Sequence, residues 1–495
     1  MSDAAIALNR FGLGARPGEA VPARPKAWLL DQFSSYQARP AALSEAPTSA
    51  AVAADLAEYQ GQRRAMRLAG TVAPKTAAEP AMAGGSPKPI DDGVDDAAKQ
   101  ARRFARREAR DDYGALVGAR TIAALTGPAP FIERMVHFWA NHFAVSADKL
   151  TVVGLAGTLE MEAIRPHVLG TFADMLNAVE RHPAMLLYLD QAVSVGPGSP
   201  LGQRVTQRAA QNGMTRKVGL NENLAREILE LHTLGVRTGY SQSDVTEFAR
   251  ALTGWTVSGI GRGPGARAAG TASGQPGDFV FVPAIHEPGT RTIIGRTYPA
   301  EGEAQAQAVL TDIAIHPATA THIATKLARH FAGDTPPPAM VDRVSAAFLA
   351  SKGDLPTVYR AIIESPEAWV EAPVKFKNPW EWSISSLRAL GTTQIQPPAM
   401  VGLMNQLGQP VWKPGQPVGY DDIAASWAGP DALLRRVEAA ERFAMRAGGT
   451  IDARALAPQL FPASLSATTA QAIARAESPG QGLALLLVAP EMMRR

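Results

Sequence analysis

Proline recurs at the joints of this chain, between runs of alanine and leucine spaced for helices, and that alternation narrows what the chain can fold into. His182-Pro183-Ala184, His316-Pro317-Ala318, Ser365-Pro366-Glu367 and Ala489-Pro490-Glu491 each put a fixed φ and a missing amide hydrogen where one helix stops and the next begins. A serine before the proline can cap the free amides. His182 and His316 therefore read as helix-boundary residues rather than ligands. No fixed repeat period accompanies the pattern, so a solenoid is not expected. The only convincing alternation of apolar and polar residues is Phe279-Val280-Phe281-Val282, followed after a turn by Thr292-Ile293-Ile294. The expected fold is mainly α: a large multi-helical domain with a small β-hairpin near 279–295.

The chain has 495 residues, 46% of them hydrophobic, enough to bury a large core. Composition suggests an N-terminal helical segment over 1–68 and a disordered linker or insertion over 69–98. A main helical domain follows over 99–495, with loops at 194–219 and 258–277. The linker assignment rests on Val72-Ala73-Pro74-Lys75 and Gly84-Gly85-Ser86-Pro87-Lys88-Pro89, which offer too little apolar surface to offset the entropy of ordering. From Ala97 to Arg110 the chain carries Lys99, Arg102, Arg103, Arg106, Arg107 and Arg110 around Phe104 and alanines. The interleaved Glu108, Asp111 and Asp112 favour a solvated helix there. A phosphate-binding or membrane-surface helix is the alternative.

Lys and Arg number 49 against 46 Asp and Glu, a net charge of +3, and so small an excess gives no reason to expect a nucleic-acid partner. With no cysteine, disulfides, thiolate-bound metals and thiol nucleophiles are ruled out. Met1 to Arg10 lacks the basic and apolar regions of a secretory signal. The run Leu483–Ala489 is roughly a third of a membrane-spanning helix. No membrane span is expected, and the protein is expected to be soluble and cytoplasmic as written, the periplasm being the alternative.

The densest polar segment is Asn221 to Gly235. At helical spacing Asn223, Arg226, Glu227 and Glu230 share one face, and Leu224, Ile228, Leu229 and Leu231 take the other. Gly235 stands where a left-handed cap is expected, and Ser241 with Asp244 is spaced as a capping box, so a second helix should pack back as a hairpin. That helix sets Asp244, Glu247 and Arg250 on one side and ends at Thr253-Gly254-Trp255. Two readings of the polar faces stand. If they line a cleft, Glu227 and Glu230 can share a proton or a metal, since neighbouring carboxylates push one pKa into general-acid range, with Arg226 and Arg250 gripping an anion. If they face solvent, they are Arg–Glu pairs at helical spacing, each contributing a few tenths of a kcal/mol.

A second cluster is Phe138-Trp139-Ala140-Asn141-His142-Phe143, on a helix beginning after Pro130. His142 falls on the apolar side, as a hydrogen-bonded core residue or as a sheltered neutral base. Asn141 points with Arg134 and His137. His286 lies in the turn joining the two expected strands. His232 lies roughly 160° or more from Glu230 around the helix at about 100° per residue, so it cannot join that face. No nucleophile elbow, glycine-rich phosphate loop, His-Glu-Xaa-Xaa-His helix or Glu-Xaa-Xaa-His di-iron pattern was found. Neither a cofactor nor a metal follows from the sequence.

Leu8-Asn9-Arg10-Phe11-Gly12-Leu13-Gly14, the 138–143 run, Asn221 to Val236, Ala249 to Trp255, Lys326-Leu327-Ala328-Arg329, Lys377-Asn378-Pro379 and Leu407-Gly408-Gln409-Pro410 together resemble a large bacterial family, uncharacterised and catalogued as domain of unknown function 1800. The resemblance spans essentially the whole chain. Where relatives tend to place Gly-Trp after the proline-rich C-terminal loop, this chain has Gly419-Tyr420 and Trp427. The family supplies no established catalytic residues. Its members are often encoded beside proteins resembling sulfatases and phosphatases, which implies a sulfatase-like partner and a glycan or other anionic polymer as ligand. The leading expectation is an enzyme that hydrolyses or modifies such a polymer. Glu227, Glu230 and His142 would be catalytic; Asn141, Asn223, Arg226, Glu247, Arg250, Trp255 and His286 would bind substrate. The other expectation is a non-catalytic helical binding or assembly protein with internal Arg–Glu locks.

Overall fold

Helices dominate, as the alternation of proline and apolar runs predicts. The computed structural model describes residues 1–72, 92–212, 219–261 and 274–495. Proline occupies the first turn of Pro130–His142, Pro183–Tyr188, Pro317–Ala332, Pro379–Ala389 and Pro430–Ala447, where its missing N–H would be unpaired in any case. His182 and His316 act as caps: the ring Nδ1 of each accepts a backbone N–H two residues ahead, from Ala184 at 3.2 Å and Ala318 at 3.1 Å. Asn378 and Glu381 form a reciprocal capping box on Pro379–Ala389, and Ser241 and Asp244 form another on Gln242–Leu252.

The β structure consists, among the described residues, of two antiparallel pairs: β1 (Trp255–Val257) with β2 (Phe279–Phe281), and β3 (Arg291–Ile293) with β4 (Arg296–Tyr298). Both segments expected as strands are strands, but they do not pair with each other. The 279–281 strand turns instead to the end of the polar hairpin, where the fully buried Trp255 meets Phe279 edge-on at 5.2 Å. The 291–293 strand folds straight back through Ile294 (φ +50°) and Gly295 (φ +71°). Two consecutive positive φ values make a type I′ turn, and an isoleucine in its first position conceals it from a reading that looks for Asn-Gly.

Two boundaries also move. The 194–219 stretch is not a plain loop, because Pro200–Gln211 is a helix capped by Ser199. Of the 69–98 segment, residues 73–91 lie outside the described residues, and the helices Ser49–Val72 and Asp92–Thr126 run into its two ends. Part of the 258–277 stretch, residues 262–273, is likewise outside them.

One continuous apolar core runs from Ile6 to Met493. The 1–68 segment is built into it: Phe11 stacks on Phe331 and Trp369 with ring centroids 5.1 and 4.9 Å apart. The fully buried Arg10 beside it donates to the carbonyls of Ala368, Val370 and Ala372. Three carbonyls thus take up hydrogens of both terminal nitrogens without a carboxylate, while the buried Nε finds no partner among the described residues. Among the described residues, no helix is long and apolar enough to cross a membrane.

Candidate functional site

The helix Pro130–His142 carries Arg134, His137, Phe138, Asn141 and His142 at the spacing of a single face. That face forms one wall of a cavity of about 200 Å³. Lys326, Arg329 and His330 from Pro317–Ala332 form a second wall, Trp380 and Glu381 from the first turn of Pro379–Ala389 a third, and the segment from Gln409 to Asp422 covers it.

At one side of the cavity the Lys326 ammonium lies 2.9 Å from His142 Nδ1. His142 Nε2 lies 3.1 Å from the carbonyl oxygen of His232. Only one tautomer suits both contacts: Nε2–H donates to the carbonyl and Nδ1 accepts from the lysine. Burial, with Lys326 adding to it, holds the His142 pKa well below the usual imidazole value. Burial also brings Lys326 down to about 8. Neither Lys326 nor Arg329 forms an ion pair with a carboxylate among the described residues; the Nε of Arg329 donates to the carbonyl of Asp334 at 3.4 Å.

The carbonyl that fixes His142 is itself held. The helical turn Asn223–Glu227 widens into a π-turn over Ile228–His232. The turn delivers His232 into the interior, where its Nδ1 lies 2.7 Å from Glu180 and both side chains are fully buried. His322 hydrogen-bonds the next carbonyl, that of Thr233, at 2.6 Å, and burial brings its pKa down to about 4.

The cavity floor is a buried ionic network. Glu381 bonds Arg134, lies 2.8 Å from Arg495, and accepts the Asn378 N–H at 3.1 Å. His330 Nδ1 lies 2.8 Å from Asp422, which also pairs with Lys375 at 3.1 Å. Burial opposes ionisation of Glu381, but Arg495 and Arg134 outweigh it and hold the carboxyl far below its usual range. Asp422 is held down likewise by His330 and Lys375. Burial brings His330 down to about 4 against the pull of Asp422.

The aromatic wall is made by Trp380, Trp412 and Tyr420. Arg120 lies over Trp380 and Trp412, 4.2 and 5.3 Å from the ring centroids, and pairs with Glu160 at 2.9 Å; Glu160 accepts the Trp412 indole N–H at the same distance. Trp412 has φ +47°, a conformation costly for a bulky residue and typical of functional sites. Its ring fills the space a Cβ on Gly157 would need, 2.7 Å away. Opposite it, both amide atoms of Asn141 hydrogen-bond the Tyr420 backbone at 2.8 Å. Gly419 has φ +81°, and a Cβ there would lie 2.3 Å from the Asn141 carbonyl oxygen. Gly419-Tyr420 is thus the clasp that holds the covering loop.

Of the ten residues singled out by the sequence, Asn141 and His142 line this cavity, and Asn223, Arg226, Glu227, Glu230, Glu247, Arg250, Trp255 and His286 do not. The ten do not form one pocket. Arg226 bridges Glu222 at 3.3 Å, Glu230 at 3.4 Å and Gln242 at 2.9 Å across the hairpin. Glu247 bonds Arg250 and pairs with Arg291 at 3.2 Å. Asn223 is exposed, its N–H donating to Asn221. Glu227 is half-buried, and burial, reinforced by Glu230 and Glu180, raises its pKa. Trp255 is core, and His286 hydrogen-bonds the Thr253 carbonyl at 2.7 Å. The hairpin thus turns its charges on itself, and what it sends to the cavity is the main-chain carbonyl of His232.

Sequence reasoning missed Lys326, Arg329, His330, Glu381 and Asp422. A readable signal existed for the first three, which stand at i, i+3 and i+4 with the apolar Leu327 and Ala328 between them. Among the described residues, no group of three or more His, Asp or Glu is placed to hold a metal ion.

Fold and cavity together define a mainly helical protein with a charged, aromatic-walled pocket bordered by a glycine-clasped loop. The chain belongs to the family described as "Protein of unknown function (DUF1800)", whose model matches residues 6–494. No curated protein and no solved structure matches it.

Proposed function

We propose that the protein is an acid–base enzyme acting on an anionic, sugar-like molecule in this cavity, with Lys326 and His142 as the working pair. The observation that carries the reading is the 2.9 Å contact of Lys326 with a histidine whose other nitrogen is already committed to a carbonyl. Desolvated to a pKa of about 8, the Lys326 amine can lose and regain a proton close to neutral pH, as a general base or acid must. His142 presents a lone pair that orients the amine. In its charged form Lys326, with Arg329, supplies positive charge that is tied in no ion pair among the described residues, though Asp422 stands near enough to favour it, and such charge suits a carboxylate, sulfate or phosphate on the ligand. Trp380, Trp412 and Tyr420 line the cavity, the first two with Arg120 over one face of each ring, and the apolar surface left to them is of the kind that packs against a sugar ring. Glu227 and Glu230 face no such enclosure, and the ties of Arg226 to Glu222, Glu230 and Gln242 favour a structural role for that hairpin.

The test is thermal unfolding of the full chain with glucuronate, glucose 6-phosphate or glucose. Either anionic sugar should raise the Tm, by mass action on the folded state, and glucose should not. Lys326→Ala/Arg329→Ala should abolish the rise. Lys326→Arg, which keeps the charge but not a pKa near neutrality, should retain binding and lose turnover of an oligomeric uronate followed by NMR. A Tm unmoved by any anionic sugar, or a double variant that still responds, would overturn the reading.

A further inference from the structure

A second groove, about 750 Å³, opens between the helix Ser49–Val72, the early part of Asp92–Thr126, and the segments at 148–151 and 190–193. Arg63, Lys99, Arg102, Arg106 and Lys149 line it, against Asp148 and Asp190 alone. Both carboxylates are already engaged: Asp190 with Lys149 at 2.8 Å, and Asp148 with Lys413 at 3.1 Å and the Ser146 hydroxyl at 2.5 Å. Arg63, Arg102 and Arg106 form no ion pair with any described residue, and Arg63 lies over the Tyr59 ring at 5.7 Å.

Three guanidiniums in no ion pair with a described residue therefore converge on one concavity from two helices. Lys99, Arg102 and Arg106 share a helix face at i, i+3 and i+7, so their side chains rise along the groove in steps of about 4.5 and 6 Å. Like charges at that spacing repel one another, and no described carboxylate pairs with Arg102 or Arg106 to offset it. An anion in the groove would, and a guanidinium fork matches sulfate or carboxylate through paired hydrogen bonds. The regular rise suits a polymer with charges on successive units better than one isolated ion. Nucleic acid fits less well: the net charge is only +3, and the single aromatic ring of the groove, Tyr59, is already covered by Arg63, leaving no platform for stacked bases.

We infer that this groove binds an anionic polysaccharide through Arg63, Arg102 and Arg106. The inference uses none of the cavity's residues and does not rest on the acid–base reading. The two sites adjoin, since Lys413, which holds Asp148 at the groove, stands between Trp412 and Pro414 of the cavity lining.

The probe is a fluorescently labelled, heparin-derived octasaccharide titrated with the full chain and read by anisotropy. The wild type should bind at low salt and weaken as salt is added, since exposed charges are screened. Arg102→Glu/Arg106→Glu should lower affinity at least tenfold without moving the Tm, and Arg63→Glu should act in the same direction. Lys326→Ala/Arg329→Ala should stay within twofold of wild type; a loss there with none in the arginine variants would move the ligand to the cavity and overturn this assignment. It is also overturned if the wild type does not bind at low salt, if the Arg102/Arg106 variant binds equally well, or if single-stranded DNA of the same charge binds as tightly.

Discussion

Replacing Glu381 with Gln removes one negative charge and almost nothing else. The side chain keeps its length, and an amide oxygen can still accept the Asn378 N–H that closes the capping box. What changes is the floor of the cavity, where Arg134 and Arg495 both point at that carboxylate and only 6% of Glu381 is exposed. Removing one member of a buried ion pair costs about 3–5 kcal/mol, because the partner charge remains desolvated and uncompensated. Part of that is cushioned here, since Arg134 also donates to the carbonyls of Phe11 and Gly12, which places the expectation at the lower end, about 3 kcal/mol. For a cooperative unit of 495 residues, an unfolding entropy of ~2.1 cal/mol/K per residue turns that into a Tm lowered by about 3 °C. Calorimetry or circular dichroism at pH 7 would read it, with Glu230→Gln as the control on the exposed hairpin face, expected within about 0.5 kcal/mol of wild type. A Glu381→Gln protein as stable as that control would refute the reasoning, because it would mean that carbonyls alone, those of Phe11 and Gly12 for Arg134 and that of His330 for Arg495, satisfy both guanidiniums.

Three further outcomes follow from the same geometry. Gly419→Ala should destabilise by at least about 1–3 kcal/mol from its positive φ alone and should also blunt the Tm response to anionic sugars, because the added Cβ collides with the Asn141 carbonyl; a variant that melts and responds like wild type would show that Gly419-Tyr420 is not the clasp. Glu227→Gln should leave stability unchanged or slightly raised, because the folded state already disfavours that charge, and should leave ligand response intact; loss of the response would return Glu227 to the site. Stability should fall on acidification: His322 and His330, with pKa values brought down to about 4, take up fewer protons folded than unfolded between roughly pH 6.5 and 4, and Glu133, held down to about 2 by Arg165 and His137 against its burial, adds a loss below the ordinary carboxylate range. Equal Tm values at pH 7 and pH 4.5 would contradict those assignments.

Local grammar was legible in the residues themselves. Proline at a first helical turn, Ser241 with Asp244, and glycine after the hairpin helix act through neighbours within a few positions, so helix starts, caps and the mainly helical class could be read directly. The stripe from Arg134 to His142 obeys the same helical period, but periodicity read from the residues set His142 on the apolar side, apart from Asn141, Arg134 and His137, and the cavity wall brings them together. Local rules also reach their limit quickly. Ile294-Gly295 turns sharply although its first residue is not a usual turn former, and β2 takes its partner from 24 residues upstream because Trp255 needs Phe279 against it. The charged face of the 221–250 hairpin held out two equally grammatical outcomes, a cleft or a set of self-contained ion pairs. Which one occurs depends on what lies opposite, and there stand Gln242 for Arg226 and Arg291 for Glu247. The cavity was beyond sequence reasoning for the same reason: Lys326 acquires a low pKa and a histidine partner only when a helix nearly two hundred positions away packs beside it. Helical periodicity is a property of adjacent residues, whereas desolvation and charge pairing belong to whichever distant segments the core presses together.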